Sequence, residues 1–337
     1  MPNLTPNFGL TKPLPEEFYD VGVQNANMDI IDEELQKVAA GGKRTARFTI
    51  GASAAGWTAD QCDYLCDGIA DNVEINAAIQ ALPSTGGEIV LLNGTYEIAA
   101  EIKINKTGVT LRGNGASTKL VRAYDGGRII YVSYNKCVVE NLYVDGAKGT
   151  YTDDSNTAIY VLASDVVIRN NVVENNQNYG IYLGNPRNKA IDNIVKTSYA
   201  GIVCGDDCNI VTGNSCFEND KYGIDVGDKF NVVTGNVCRL NGVANFYMYY
   251  AEYNVITANN FAVADGDSVT PKAIYMYGSY CTGNIVTDNQ VGTGVVDIGS
   301  NTGNVVATTP AIAYGTTDIE AGSASTEPEG SLHFVIE

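Results

Sequence analysis

The 337-residue chain has a single histidine, His333, and a single tryptophan, Trp57. With one imidazole near its end, catalysis through histidine and zinc sites rich in histidine are excluded for nearly all of the sequence. Basic residues are scarce: 21 Lys and Arg stand against 39 Asp and Glu, a net charge of −18. That deficit excludes nucleic acid as a partner, because such binding rests on neutralising phosphates. No run approaches the ~18 consecutive apolar residues that a membrane-spanning helix needs, so no membrane contact is expected. The opening MPNLTPNFGL has neither a basic start nor an apolar core, so no secretory signal peptide is expected.

Hydrophobic residues make up 45% of the chain, enough for a sizeable core. Tyrosine is abundant, 21 residues against 8 Phe, and tyrosine suits half-wet surfaces and binding faces. The eight cysteines sit in a large chain without an export signal, so free thiols are expected rather than a disulfide framework.

A six-residue pattern recurs: NKAIDN (188–193), NIVTGN (209–214), NVVTGN (231–236), NVITAN (254–259), NIVTDN (284–289) and a decayed NVVATT (304–309), with weaker copies at KCVVEN (136–141) and DVVIRN (165–170). The closing asparagines are 141, 170, 193, 214, 236, 259 and 289, in steps of 29, 23, 21, 22, 23 and 30. A second pattern keeps the beat: IIYVS (129–133), AIYVL (158–162), GIYLG (180–184), GIVCG (201–205), GIDVG (223–227), NFYMY (245–249), AIYMY (273–277) and VVDIG (295–299). A shared period of about 22 residues in β-rich segments, too short for paired helices, predicts a right-handed parallel β-helix of one chain.

Strand alternation then sorts the side chains. Positions 2 and 4 of the second pattern point inward: Ile159/Val161, Ile181/Leu183, Ile202/Cys204, Ile224/Val226, Phe246/Met248, Ile274/Met276 and Val296/Ile298. A further inward column is Val172, Val195, Cys216, Cys238, Phe261 and Val291. Cys216 and Cys238 are one rung apart, so spacing does not exclude a disulfide between them. The asparagines 170, 193, 214, 236, 259 and 289 read as an amide ladder inside a turn. ADNVEINAAIQAL (70–82) reads as an amphipathic helix capped by Asp71 or Asn72, ended by Pro83, and closing the open end of the coil. The expected organisation is 1–45 an attachment and short coiled-coil segment, 46–85 a linker and cap helix, 86–309 the β-helix, and 310–337 a C-terminal linker and terminal strand.

Ala70 to Gly115, with DNVEINAAIQAL, GGEIVLLNGTY and GVTLRGNG, resembles the opening of pectate-lyase-like β-helix proteins. The wider GWTADQCDYLCDGIADNVEINAAIQALPSTGGEIVLLNGTY is similar to β-helix proteins encoded by bacteriophages of Gram-positive hosts. TPNFGLTKPLPEEFYDVGVQNANMDIIDEEL resembles the attachment region of phage tail-fibre and tail-spike proteins, and PEGSLHFVIE the last strand of several tail proteins. The resemblance implies a virion tail component, made in the host cytoplasm. Such proteins are often trimers that join other tail or baseplate proteins, contact host cell-surface polysaccharide and sometimes cleave it. Lytic pectate-lyase relatives carry calcium-binding Asp residues and a basic Arg or Lys. No such set matches here residue by residue, which counts against pectate lyase activity itself.

Two features point to a homotrimer without the resemblance. Residues 20–39 read as a short helix with Met28, Ile31, Leu35 and Val38 at a/d spacing. The alternative is that this helix packs on its own β-helix. The asparagine-ending strand is apolar on both faces. Val211, Val233, Ile256, Val286 and Val306 form one column, and Ile210, Val232, Val255, Ile285 and Val305 with Thr212, Thr234, Thr257 and Thr287 the other. Only one column can face inward, and the other is left as an apolar stripe of the kind that marks an interface. The expected interface is Met28, Ile31, Leu35, Val38, Val211, Val233, Ile256 and Val286, unless 310–337 folds back over the stripe.

Position 3 of the second pattern points outward and reads Tyr131, Tyr160, Tyr182, Val203, Asp225, Tyr247, Tyr275, Asp297. Aromatic faces stack on sugar rings, so Tyr160, Tyr182, Tyr247 and Tyr275 are the candidate carbohydrate-binding residues; the competing explanation is cross-rung packing. Two over-long coils, at AKGTYTDDSN (147–156) and VADGDSVTPK (263–272), fall at one corner about 24 Å apart, where they would wall a groove. Asp206, Asp225 and Asp228 are the candidate catalytic set for glycoside hydrolysis. A separation of ~5–5.5 Å favours retention and ~6.5–9.5 Å inversion. The same aspartates suit Ca²⁺, or cap their own turns. No other cofactor is expected. A third reading is a structural tail spacer with no ligand.

Overall fold

The computed structural model describes residues 3–4, 10–12, 21–39, 46–264 and 272–309. Among the described residues, two α-helices and a long stack of short strands form the fold. Helix α1 runs Val21–Ala39 and α2 runs Asn72–Ala81. The strands form a right-handed parallel β-helix, as the repeat predicts. One face is a nine-stranded parallel sheet, from Ile102–Ile104 through Tyr179–Leu183, Ala200–Cys204, Tyr222–Lys229 and Ala244–Glu252 to Val296–Asp297. The other two faces join into a sheet of twenty strands.

The turns explain why these residues coil. In most of them one residue adopts a positive φ and the next is a buried asparagine, with Ser198 in its place on one rung. At one corner the left-handed residues are Arg187, Cys208, Phe230 and Tyr253, followed by Asn188, Asn209, Asn231 and Asn254. At the next they are Asn170, Asp192, Gly213, Gly235, Ala258 and Asp288, followed by Asn171, Asn193, Asn214, Asn236, Asn259 and Asn289. At the third they are Asn175, Thr197, Glu218 and Leu240, followed by Asn176, Ser198, Asn219 and Asn241. A left-handed non-glycine residue costs on the order of 1 kcal/mol. The asparagines offset it. Asn214 donates to Ala190 O at 2.9 Å and to Asn236 Oδ1 at 3.0 Å, and its Oδ1 accepts from the Asn193 N–H at 2.9 Å.

These ladders correct the sequence reading in one register and extend it by two. Asn170 is exposed, and Asn171 is the ladder member, donating to Asn193 Oδ1 at 3.0 Å. The same slip moves the inward column to Val173, since Val172 pairs with the outward Ile194 and Val173 with Val195. The opening asparagine of each six-residue repeat forms a second ladder, with Asn254 donating to Asn284 Oδ1 and Asn284 to Asn304 Oδ1, both at 2.9 Å. The third ladder runs from Asn219 to Asn241 and on to Asn245, each step 2.9 Å.

The core is the apolar ladder of the expected columns. Ile159, Ile181, Ile202, Ile224, Phe246 and Ile274 are fully buried, as are their partners at position 4 through Met276. Burying each such side chain stabilises the coil by about 1.5–3 kcal/mol. The last rung departs from the pattern: Val296 is half-buried and Ile298 exposed, because no further coil covers them among the described residues. All eight cysteines are free, Cys216 and Cys238 included, which face each other on adjacent rungs.

The interface expectation needs correction. Val211, Val233, Ile256 and Val286 are fully buried and line the core, so they cannot meet a partner chain. The outward column is the alternate one, where Ile285 and Val305 are exposed. On α1, Met28 and Ile31 are exposed, and the side chains of Leu35 and Val38 lie outside the described residues.

At the N-terminal end, α2 buries Ile75, Ala78 and Ile79. Asp71 is not a side-chain cap. Its carboxylate is buried, accepting from the Gly68 and Glu97 N–H groups at 2.8 Å, and Asn72 Oδ1 accepts from Ala99 N–H at 2.9 Å. The helix is thus stapled to the first coil by acids and amides at its start. The strand Arg47–Ala52 pairs in parallel with Gly87–Leu91, so the sheet reaches into the segment expected to be a linker.

Candidate functional site

The nine-stranded sheet carries the tyrosines, and its register is the one the sequence pattern predicts. Tyr131 pairs with Tyr160, Tyr160 with Tyr182, Tyr182 with Val203, Val203 with Asp225, Asp225 with Tyr247, Tyr247 with Tyr275, and Tyr275 with Asp297. Strand alternation buries the residues on either side, so this column stands on the outer face. The rings touch along the stack. Tyr160 and Tyr182 are stacked with centroids 4.6 Å apart, and Tyr247 meets Tyr275 edge-on at 5.5 Å.

The structure adds tyrosines that alternation missed. Tyr179 stacks on Tyr182 at 5.4 Å and Tyr222 on Tyr247 at 4.1 Å. Both sit three residues before the column, which a strict period of two sends inward. Two consecutive buried residues, Gly180 with Ile181 and Gly223 with Ile224, absorb the offset. The glycine ahead of each isoleucine was the available signal. Tyr249 and Tyr250, late in the strand Ala244–Glu252, form an exposed cluster with Tyr277 and Tyr280, with Tyr250 and Tyr280 stacked at 4.4 Å.

The aromatic column is interrupted on the rung Ala200–Cys204, whose outward residues are the small Ala200 and Val203. Tyr179 and Tyr182 stand on one side of this rung, and Tyr222 and Asp225 on the other, and Ala200 and Val203 are covered between them. A residue at position 205 with a Cβ would strike the Tyr182 hydroxyl at 2.6 Å. Gly205 therefore allows Tyr182 to lean along the face toward the next turn.

Asp225 lies among these rings. Burial pushes its carboxyl up to about 7. No hydrogen bond or ion pair to that carboxyl is present among the described residues. Its charge in turn helps raise the hydroxyls of Tyr179, Tyr182, Tyr222 and Tyr247, in which burial is the leading cause. A carboxylic acid that still holds its proton near neutrality, flanked by ring faces, has the properties of a general acid.

The expected trio is only partly assembled. Asp206 and Asp228 do come together, but their third partner is Asp207, with ligand oxygens all within 4.8 Å. Asp207 was missed because alignment of Gly205-Asp206 with Gly227-Asp228 drew attention to the first aspartate of the pair. Partial burial, then a hydrogen bond to Asp207 and the charges of Asp207 and Asp206, raise the Asp228 carboxyl. Asp225 is linked to this group through Tyr182, which feels both Asp206 and Asp225. Three carboxylates in contact offer hard oxygen ligands of the sort that suit Ca²⁺ or Mg²⁺. Of the two long loops, 147–156 is anchored by the buried Arg122, whose guanidinium donates to Asn156 Oδ1 at 3.0 Å. Most of 263–272 lies outside the described residues.

Residues 83–289 match the family model described as periplasmic copper-binding protein (NosD). No curated protein matches the chain. Among solved structures, the chain is similar to pectate lyase Pel9A at 16% identity, covering 79% of this chain and 77% of that one with a TM-score of 0.48. It is similar to the A-module of the Azotobacter vinelandii mannuronan C-5 epimerase AlgE4 at 14% identity, covering 77% and 97% with a TM-score of 0.45. It is also similar to the enzymatically active domain of bacteriophage CBA120 tailspike protein 2 at 13% identity, covering 67% and 41% with a TM-score of 0.48.

Copper prefers thiolate, thioether and imidazole ligands, and the described residues do not present such a set. Met248, Met276, Cys204, Cys216, Cys238 and Cys281 are sealed in the core, and His333 lies outside the described residues. The open cluster is all carboxylate, which suits a hard cation and not copper. With the family match spanning well over half of its length, the chain is a member of the NosD family of β-helix proteins.

Proposed function

We propose that the protein recognises carbohydrate through the tyrosine face of its β-helix. The observation that carries this reading is the outward column Tyr131, Tyr160, Tyr182, Tyr247, Tyr275, held in register over successive rungs with its rings only partly covered. Rungs repeat at about 4.8 Å, so such a face offers an extended polymer several ring contacts in line. The N-terminal and C-terminal segment resemblances support a finer reading, in which the protein is a homotrimeric phage tail component and the glycan is a host cell-surface polysaccharide.

The test is incubation of the full chain with cell-wall polysaccharide from candidate hosts, scoring retention on the polymer. Tyr182→Ala and Tyr247→Ala are each expected to weaken retention roughly tenfold, the loss of ~1.4 kcal/mol of stacking. Unchanged circular dichroism would confirm the fold. Equal retention by both variants and the parent would sink the tyrosine reading.

A second reading, polysaccharide cleavage on the same face, is favoured by one observation, the Asp225 carboxyl raised to about 7. Asp225 would donate the proton to the leaving oxygen, and a carboxylate of the Asp206, Asp207 and Asp228 group would act as base or nucleophile. The same incubation then releases reducing ends, and Asp225→Asn abolishes release. Retention without release makes the protein a binder only.

A further inference from the structure

The tyrosine column already holds cations at both its ends. At the first, the Arg128 guanidinium lies 4.6 Å from the Tyr160 ring centroid and 5.2 Å from Tyr131, and pairs with Glu101 at 3.2 Å. At the other, Lys272 Nζ lies 3.3 Å from the Tyr275 centroid and pairs with Asp297 at 2.6 Å. Each end is thus a cation between a tyrosine face and a carboxylate. Arg128 and Lys272 occupy equivalent strand positions, and the rungs between them carry Thr157, Tyr179, Ala200, Tyr222 and Ala244 there.

The middle of the column has the same two ingredients without the third. Tyr179, Tyr182, Tyr222 and Tyr247 surround Asp225, and the small Ala200 and Val203 between them are buried beneath the neighbouring rings. Among the described residues no arginine or lysine stacks on these four rings, and no cation pairs with Asp225. Asp206, Asp207 and Asp228 add negative charge at the neighbouring turn, where the nearby Lys229 is held by Glu252 at 2.9 Å. A polyuronate would bring its own carboxylates against this face and be repelled. A ligand ammonium would gain both the ring faces and the Asp225 carboxylate, because a cation that close draws off the proton the unpaired carboxyl holds near neutrality.

We propose that the ring-flanked Asp225 binds a protonated amino group of the ligand, so that the glycan recognised carries free amino sugars. The inference rests on the carbohydrate reading above and narrows its substrate class. Calorimetric titration of the full chain near neutral pH tests it with three probes: a β-1,4-linked glucosamine hexamer, its fully N-acetylated counterpart and a galacturonate hexamer. The glucosamine hexamer is expected to bind at least tenfold more tightly than the N-acetylated one, with the galacturonate weakest. Asp225→Asn is expected to erase that preference, as is raising the salt concentration in part. Equal affinity for the two hexosamines, a preference for galacturonate, or a preference that survives Asp225→Asn would each overturn the inference while leaving carbohydrate binding intact. If no hexamer binds, tetramethylammonium is titrated against tyrosine fluorescence. A saturable change lost in Asp225→Asn would support the cation site, and no change would overturn it, while retention on host polysaccharide decides the carbohydrate reading separately.

Discussion

Asn171→Asp is expected to destabilise the coil by roughly 3–4 kcal/mol, while Asn170→Asp one residue earlier changes stability by no more than ~0.5 kcal/mol. The difference follows from which amide is buried. Asn171 is 1% exposed, donates to Val139 O at 3.1 Å and to Asn193 Oδ1 at 3.0 Å, and accepts from Leu142 N–H at 3.1 Å. An aspartate there has no donor when ionised. It loses the bond to the Val139 carbonyl and sets its own charge against the Asn193 oxygen in a dry site. Asn170 is exposed at φ 56°, a position that aspartate already fills on other rungs, at Asp192 and Asp288. Urea unfolding followed by far-ultraviolet circular dichroism reads the difference. Equal midpoints for the two variants would mean that the ladder contributes little to holding the rungs together.

Asp225→Asn is expected to stabilise the protein at pH 8 and to change nothing at pH 4. The sign follows from the raised carboxyl. Asp225 titrates at about 7 in the fold against 3.8 for the free group. Below pH 4 both folded and unfolded chains hold the proton, and no penalty exists. Between pH 4 and 7 the unfolded chain releases it first, so the charged form draws the equilibrium toward unfolding. Above pH 7 the full penalty stands, with a ceiling of about 4 kcal/mol from the size of the shift. The isosteric amide has no charge to desolvate, so the gain appears as a melting temperature several degrees higher at pH 8. A destabilised variant, or a gain independent of pH, would place Asp225 in a structural role. A residue that costs stability where it sits is expected at a binding or catalytic site, and uncommon in a turn.

Most of the fold was legible because a β-helix writes its period into the chain. The inward column Ile181, Ile202, Ile224, Phe246, Ile274 and the outward column Tyr131 to Asp297 both follow from alternation and the ~22-residue step, and both stand in the observed register. Errors arose where one residue decides the face. In the Asn170-Asn171 pair the sequence offers two amides, and only the left-handed φ at the first sends the second inward. The same ambiguity placed Val211, Val233, Ile256 and Val286 at an interface, since a strand apolar on both sides does not say which is covered. Two of the three asparagine ladders were missed, although the five-residue spacing Asn209, Asn214, Asn219 was present in the sequence.

The candidate site was legible as a column and not as a constellation. Period-two alternation finds Tyr182 and Asp225, but Tyr179 and Tyr222 reach the same face only because Gly180 and Gly223 let the strand step in twice. The assembly of Asp207 with Asp206 and Asp228 depends on how neighbouring turns stack, which spacing alone does not fix. The cations at the column's ends depend on side-chain rotamers, and no sequence pattern announces them.

The central claim is that the tyrosine column is the carbohydrate-contacting surface. It is tested most directly by chemical footprinting: nitration of surface tyrosines in the full chain, with and without a polysaccharide that the protein retains, mapped by mass spectrometry. The account predicts that Tyr160, Tyr182, Tyr247 and Tyr275 are protected together, while Tyr64 and Tyr143, away from that face, react as before. Protection spread over all tyrosines, or confined to residues off the column, would contradict it.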